Sequence, residues 1–159
     1  MKSLFILAKE IIDISMIKDD LYSVVPFLIE QVSKKARRYS QRAFDEKGLG
    51  ITIDQWVLLK IIEKHEDISQ RELADISMRD GASITRSLDL LEKSDLITRE
   101  SIPGNRRQYR VTLKEKGANF IRENMSLINE HRVQLVNGLS DSEIEQLKTF
   151  LIRMTKNVT

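Results

Sequence analysis

Apolar positions recur along this chain with a helical period, and most of the recurring runs open on a residue able to cap a helix. Leu4, Leu7, Ile11 and Ile14 mark an amphipathic N-terminal segment, and Phe27, Leu28, Val32, Tyr39 and Ala43 a longer helix that starts near Pro26 and stops at Gly48. Thr52-Ile53-Asp54-Gln55 reads as a capping box stapled by Ile51 and Trp56, opening a helix to about Lys64. A second box, Ser69-Gln70-Arg71-Glu72, is stapled by Ile68 and Leu73 and opens a short helix that the polar run Ser77 to Gly81 ends. Asp80 is the N-cap of the next helix, whose Ile84, Leu88 and Leu91 recur at i, i+4 and i+7 and face the core. The period then changes. Ile97 to Ser101 and Arg107 to Leu113 are β-compatible, with Tyr109, Val111 and Leu113 on one face and Gln108, Arg110 and Thr112 on the other, and Pro103-Gly104 suits a tight turn between them. Lys114 to about Gly138 reads as one long helix. Ser140 to Glu143 boxes a last one, stapled by Leu139 and Ile144, with the stripe Ile144, Leu147, Leu151 and Met154.

The fold class predicted is mainly α with a small β-wing. Two short capped helices followed by a basic hairpin are the parts of a winged helix-turn-helix, in which a helix enters the major groove and a β-ribbon the adjacent minor groove of double-stranded DNA. On a helical wheel the face opposite Ile84, Leu88 and Leu91 carries Ala82, Arg86 and Asp89, flanked by Ser83 and Thr85. Small side chains let the backbone come close to base edges, and one long arginine reaches guanine with two hydrogen bonds. Taken alone, such a stripe is what any core-facing helix shows, and Arg86 is a surface charge. The hairpin shifts the balance, since from Arg99 to Lys116 there are six basic residues (Arg99, Arg106, Arg107, Arg110, Lys114, Lys116) against two acids, Glu100 and Glu115.

Composition adds limits. The 159 residues fit one domain, and 41% hydrophobic residues suffice for a core. A formal charge of +2 is too small to identify a nucleic-acid partner, so the local clusters carry that argument. The run Lys34, Lys35, Arg37, Arg38, Arg42 and Lys47 is weaker evidence, because a charge run on a helix is usually a solvated face. The absence of cysteine excludes a disulfide and a thiol sensor. His65 and His131 lack ligand-spaced partners, so no metal site or cofactor is expected. No run is long enough to span a membrane, and Lys9, Glu10 and Asp13 break the apolar Leu4 to Ala8 stretch, which makes a poor signal peptide.

Thr52 to Trp56, Ser69 to Ala74, Arg79 to Glu92 and Asn105-Arg106-Arg107 through Val111 to Gly117 together resemble the MarR family of bacterial transcription regulators, in order over roughly Ile51 to Ile121 and more loosely into Leu139 to Met154. The resemblance implies a homodimer with intertwined N- and C-terminal helices, a recognition helix in the major groove and a wing arginine in the minor groove. It implies a small-molecule effector bound between the dimerisation and DNA-binding parts, and a cytoplasmic location. By position, Asp80, Gly81, Ala82, Ser83, Thr85 and Arg86 fall on the recognition helix. Ser69, Gln70 and Arg71 fall on the helix before it, and Arg99, Asn105, Arg106, Arg107 and Arg110 on the wing. Three positions depart from the pattern: Asn105 replaces the usual aspartate of the wing signature, Gly81 a common lysine and Leu90 a common basic residue.

The organisation expected is one domain over 1–159, with dimerisation helices in 1–48 and 115–159 and a winged-helix part in 51–113. The leading function is a sequence-specific transcriptional regulator that binds a pseudo-palindromic operator as a dimer and responds to a ligand. The alternative is a winged-helix interaction module docking on an acidic protein, for which apolar or aromatic anchors would be expected where Ser83, Thr85, Arg86 and Arg107 stand. An enzyme is not expected, since the acids are scattered, the histidines isolated and no phosphate-cradling glycine loop exists.

Overall fold

A computed structural model describes residues 21–158 except 103 and 104, and residues 105–108 by their backbone alone. The Leu4 to Ile14 stripe, the Pro103-Gly104 turn and the side chains of Asn105, Arg106, Arg107 and Gln108 therefore lie outside the described residues. The chain forms two compact units, Met1–Tyr39 and Ser40–Thr159.

In the first unit a single 3-10 turn, Leu21–Ser23, leads into helix α1, Val25–Glu46. Pro26 stands in its first turn, where its missing amide costs no helical hydrogen bond. The Tyr22 ring meets Phe27 edge-on at 5.5 Å. Leu21, Tyr22, Val25, Leu28, Val32 and Tyr39 are all exposed.

The second unit takes in the last turns of α1 and everything after. Gly48, at φ 62°, turns the chain out of α1. Helix α2, Ile53–His65, opens on the expected box: the Gln55 amide donates to Thr52 Oγ1 at 3.1 Å and the Thr52 amide to Gln55 Oε1 at 2.8 Å. A second cap comes from a distance, as the Ile53 amide donates to Gln41 Oε1 of α1 at 2.9 Å. Next come strand β1, Ile68–Ser69, helix α3, Gln70–Ser77, helix α4, Gly81–Lys93, strands β2, Ile97–Ile102, and β3, Asn105–Leu113, and helices α5, Glu115–Leu135, and α6, Asp141–Asn157. Among the described residues no helix is long and apolar enough to cross a membrane.

The core is a single cluster. Leu58, Leu59 and Ile62 of α2, Leu73 of α3, Ile84, Leu88 and Leu91 of α4, and Ile97 and Val111 of the sheet are fully buried. Trp56 joins this core to the long helices, standing edge-on to Phe44 of α1 at 5.9 Å and tilted against Phe120 of α5 at 6.2 Å. Phe44 and Trp56 are core residues, 1% and 2% exposed. Gly117 is the close-packing point of α5: a Cβ there would stand 2.2 Å from the Leu96 carbonyl oxygen, so only glycine lets the helix start against the lead into β2.

The sheet differs from the expected hairpin. It has three antiparallel strands in the order β1-β3-β2, because Ile68 and Ser69 pair with Val111 and Arg110. The staple residue Ile68 thus also enters the sheet. The hairpin runs from Ile97↔Leu113 through Arg99↔Val111 to Ser101↔Tyr109, with a register shift before Ile102↔Asn105. Ile102, Asn105 and Arg106 are strand residues, so the two strands run beyond the expected Ile97 to Ser101 and Arg107 to Leu113. Helix α5 also ends three residues before the expected Gly138, which adopts φ 90° in the turn to α6.

Candidate nucleic-acid interface

The helix-turn-helix is built by short local hydrogen bonds. At the start of α3 the Glu72 amide donates to Ser69 Oγ at 3.1 Å and the Ser69 amide to Glu72 Oε2 at 2.9 Å. Hydrogen bonding of the carboxyl by the Ser69 side chain first and by the Ser69 amide second, with the positive fields of Arg110 and His65 adding, holds Glu72 below the usual carboxylate range. The helix ends where the Ser77 hydroxyl donates back to the Leu73 carbonyl at 2.6 Å and Met78 takes a left-handed backbone at φ 51°. Arg79, in the turn, places Nη2 2.6 Å from Asp54 Oδ1 and so ties the turn to α2. Asp80 then caps α4, accepting from the Ser83 amide at 2.8 Å.

With Ile84, Leu88 and Leu91 buried, the opposite face of α4 presents exposed Ala82, Arg86 and Asp89, as expected from the wheel, and Gly81 at its start is exposed too. Ser83 is half-buried. Arg86 and, on α3, the exposed Arg71 make no hydrogen bond or ion pair among the described residues. Thr85 is committed differently: its hydroxyl donates to the Gly81 carbonyl at 2.9 Å and accepts from Gln70 Nε2 at 2.8 Å. Two residues expected to touch DNA separately are thus one hydrogen-bonded pair joining α3 to α4.

The wing cations are mostly engaged. Arg99 of β2 donates through Nη2 to Asp89 Oδ1 at 2.7 Å and Glu92 Oε2 at 2.6 Å, and through Nε to Glu92 Oε2 at 3.0 Å. The Glu92 bond first, then that of Asp89, holds the guanidinium above its already high range. Arg110 of β3 pairs with Asp67, and Lys114 with Asp95, whose carboxyl that pairing depresses. Lys116 donates to the Ser94 carbonyl at 2.8 Å. Four of the six cations counted in the sequence thus have partners inside the fold, and the other two, Arg106 and Arg107, have side chains outside the described residues. The partner residues Asp54, Asp67, Asp89, Glu92 and Asp95 were missed from sequence as parts of the site. Only Asp89 carried a signal, its place on the outward wheel. Among the described residues no group of three or more His, Asp or Glu is placed to hold a metal ion.

Comparison with known proteins agrees with this geometry. Residues 51–109 match the model of the MarR family. The crystal structure of the transcriptional regulator SlyA superposes with a TM-score of 0.76 at 26% identity, covering 86% of this chain and 94% of that one. A mutant MarR from E. coli complexed with operator DNA gives 0.75 at 25% identity, covering 86% and 99%. The S. aureus MepR–DNA complex shares the fold, with a TM-score of 0.74 at 24% identity, covering 84% and 98%. A capped helix pair and a three-stranded wing thus fall within or beside the segment, residues 51–109, over which the chain is similar to the MarR family.

Proposed function

We propose that the protein is a sequence-specific DNA-binding transcription regulator, acting in the cytoplasm as a homodimer on a pseudo-palindromic operator. One observation carries this reading. Helix α4 is fixed by three fully buried side chains and turns toward solvent a face of small residues with one arginine, Arg86, that has no partner among the described residues. An unpaired guanidinium on a rigid helix is preorganised for the O6 and N7 acceptors of guanine, and the small residues beside it allow close approach to the groove. Gly81, Ala82 and Ser83 supply that approach, and Arg71, Ser69 and Gln70 suit backbone contacts that set the register. Arg106 and Arg107 remain the candidates for the flanking minor groove, where narrow A·T-rich DNA concentrates negative potential. An effector bound between the dimerisation helices, 1–48 and 115–159, and the winged helix, 51–113, follows from the family likeness.

Selection from random duplexes, then footprinting of the selected site, tests the reading. The expected footprint holds two inverted half-sites about one helical turn, or roughly 10 base pairs, apart, because a two-fold protein sets its recognition helices in successive major grooves. A single half-site, or no enrichment of any sequence, would contradict it.

A further inference from the structure

We infer that Arg99 is a positioning residue, clamping the wing to the recognition helix so that the two elements meet DNA as one body. The inference rests on the reading of α4 and the hairpin as the DNA-reading elements. Residue 99 is held at both ends. Its guanidinium bonds to Asp89 and Glu92 through Nη2 and to Glu92 through Nε, and its backbone amide donates to Glu92 Oε1 at 3.1 Å. The Glu92 carboxylate therefore uses both oxygens on one residue, which fixes the direction of the strand as well as its distance from the helix. The planar guanidinium makes such a fork, and a lysine ammonium cannot. Arg99 lies opposite Val111, and Val111 opposite Ile68, so the clamp acts on all three strands.

Charge and exposure separate this role from a phosphate contact. Two carboxylates face one guanidinium, and the Arg99 side chain is 18% exposed while that of Asp89 is 54% exposed. A cation already neutralised in this way is not free to neutralise a phosphate, and so displaces none of the counterions condensed on the DNA. Arg99 was expected among the DNA-contacting wing residues; this geometry assigns it to the support behind them.

The test compares the full-length wild type with Arg99→Gln in two measurements. Without DNA, amide hydrogen exchange is expected to quicken across β2 and β3 in the variant, while α2 and α3 keep their protection. On the selected operator, binding is expected to weaken about tenfold through loss of a preorganised geometry. The slope of log affinity against log salt is expected to stay unchanged. Unchanged exchange in the hairpin overturns the clamp. A slope shallower by about 0.9 per protomer overturns it as well, since that is the signature of a lost phosphate contact. Asp89→Asn, an exposed half of the clamp, gives the same readouts should Arg99→Gln fail to fold. A wild type that enriches no sequence, with exchange still quickened in the variant, refutes the regulator reading separately and leaves Arg99 a fold contact only, which also overturns the positioning role.

Discussion

Four arginines of the winged helix carry the same charge and have different work, decided by what faces them. Arg79 meets Asp54, Arg99 meets Asp89 and Glu92, Arg110 meets Asp67, and Arg86 meets no partner among the described residues. A guanidinium in an ion pair has its charge offset and some of its five donors engaged, so it helps to organise the fold, whereas an unpaired one has all of them available to a ligand. Arg86→Ala is therefore expected to cost about 1–3 kcal/mol at the selected operator and to relax preference at one position per half-site. Thermal stability is expected to hold, as the side chain is exposed and touches nothing it would leave unpaired. Titrations against operator and random duplex check this; equal weakening on both would make Arg86 a phosphate contact. The availability of Arg86 was legible in the wheel, because burial of Ile84, Leu88 and Leu91 fixes the rotation of the helix. The commitment of Arg99 was not, because its partners lie across a helix–strand junction that no period in the sequence encodes.

Among the elements, those with local start signals were read correctly. The boxes at Thr52, Ser69 and Ser140 all form, each with both of its reciprocal bonds, because every donor and acceptor involved lies within three residues. The Ser69 box has a pH signature. Its bonds depress the Glu72 carboxyl, so what they contribute to α3 is fully present above the pKa of an unfolded glutamate and is lost as pH falls through the lower folded value. The Glu72 carboxyl should therefore titrate, by carbon-detected NMR, with a midpoint below about 4.3, the value for a free glutamate side chain. In Ser69→Ala the midpoint should rise toward that value, and an unmoved midpoint would show that the amide of residue 69 and the field of Arg110 and His65 suffice to hold it down. Strand β1 was missed for the opposite reason: two residues show no alternation, and Ile68 becomes a strand residue only because Val111, far along the chain, lies beside it.

For the molecule as a whole, the apolar surface of the terminal helices is the main feature that one chain leaves unaccounted for. On α6, Leu147, Phe150, Leu151 and Ile152 are exposed, while Ile144 and Met154 of the predicted stripe are half-buried. Each large apolar side chain left in water forgoes about 1.5–3 kcal/mol of burial, so a row of them favours association with a second copy. Phe150→Glu combined with Leu151→Glu should yield a monomer by analytical ultracentrifugation and reduce the operator footprint to a weak half-site. An unchanged mass would show that this row does not form the dimer interface.

The sequence by itself determined the order of the helices and of the two hairpin strands, the starts of α2, α3, α4 and α6, the inward face of α4 and its small, arginine-bearing outward one. These follow from bonds closing within a few residues and from the 3.6-residue period, both of which are written locally. Only the tertiary structure decided which charges remain free. Arg110 and Asp67 stand 43 residues apart, Lys114 reaches Asp95 across the hairpin, and Gln70 takes up the Thr85 hydroxyl from the neighbouring helix. A count of basic residues sees charges on a line, while the potential a ligand meets depends on which of them the fold has brought against a carboxylate.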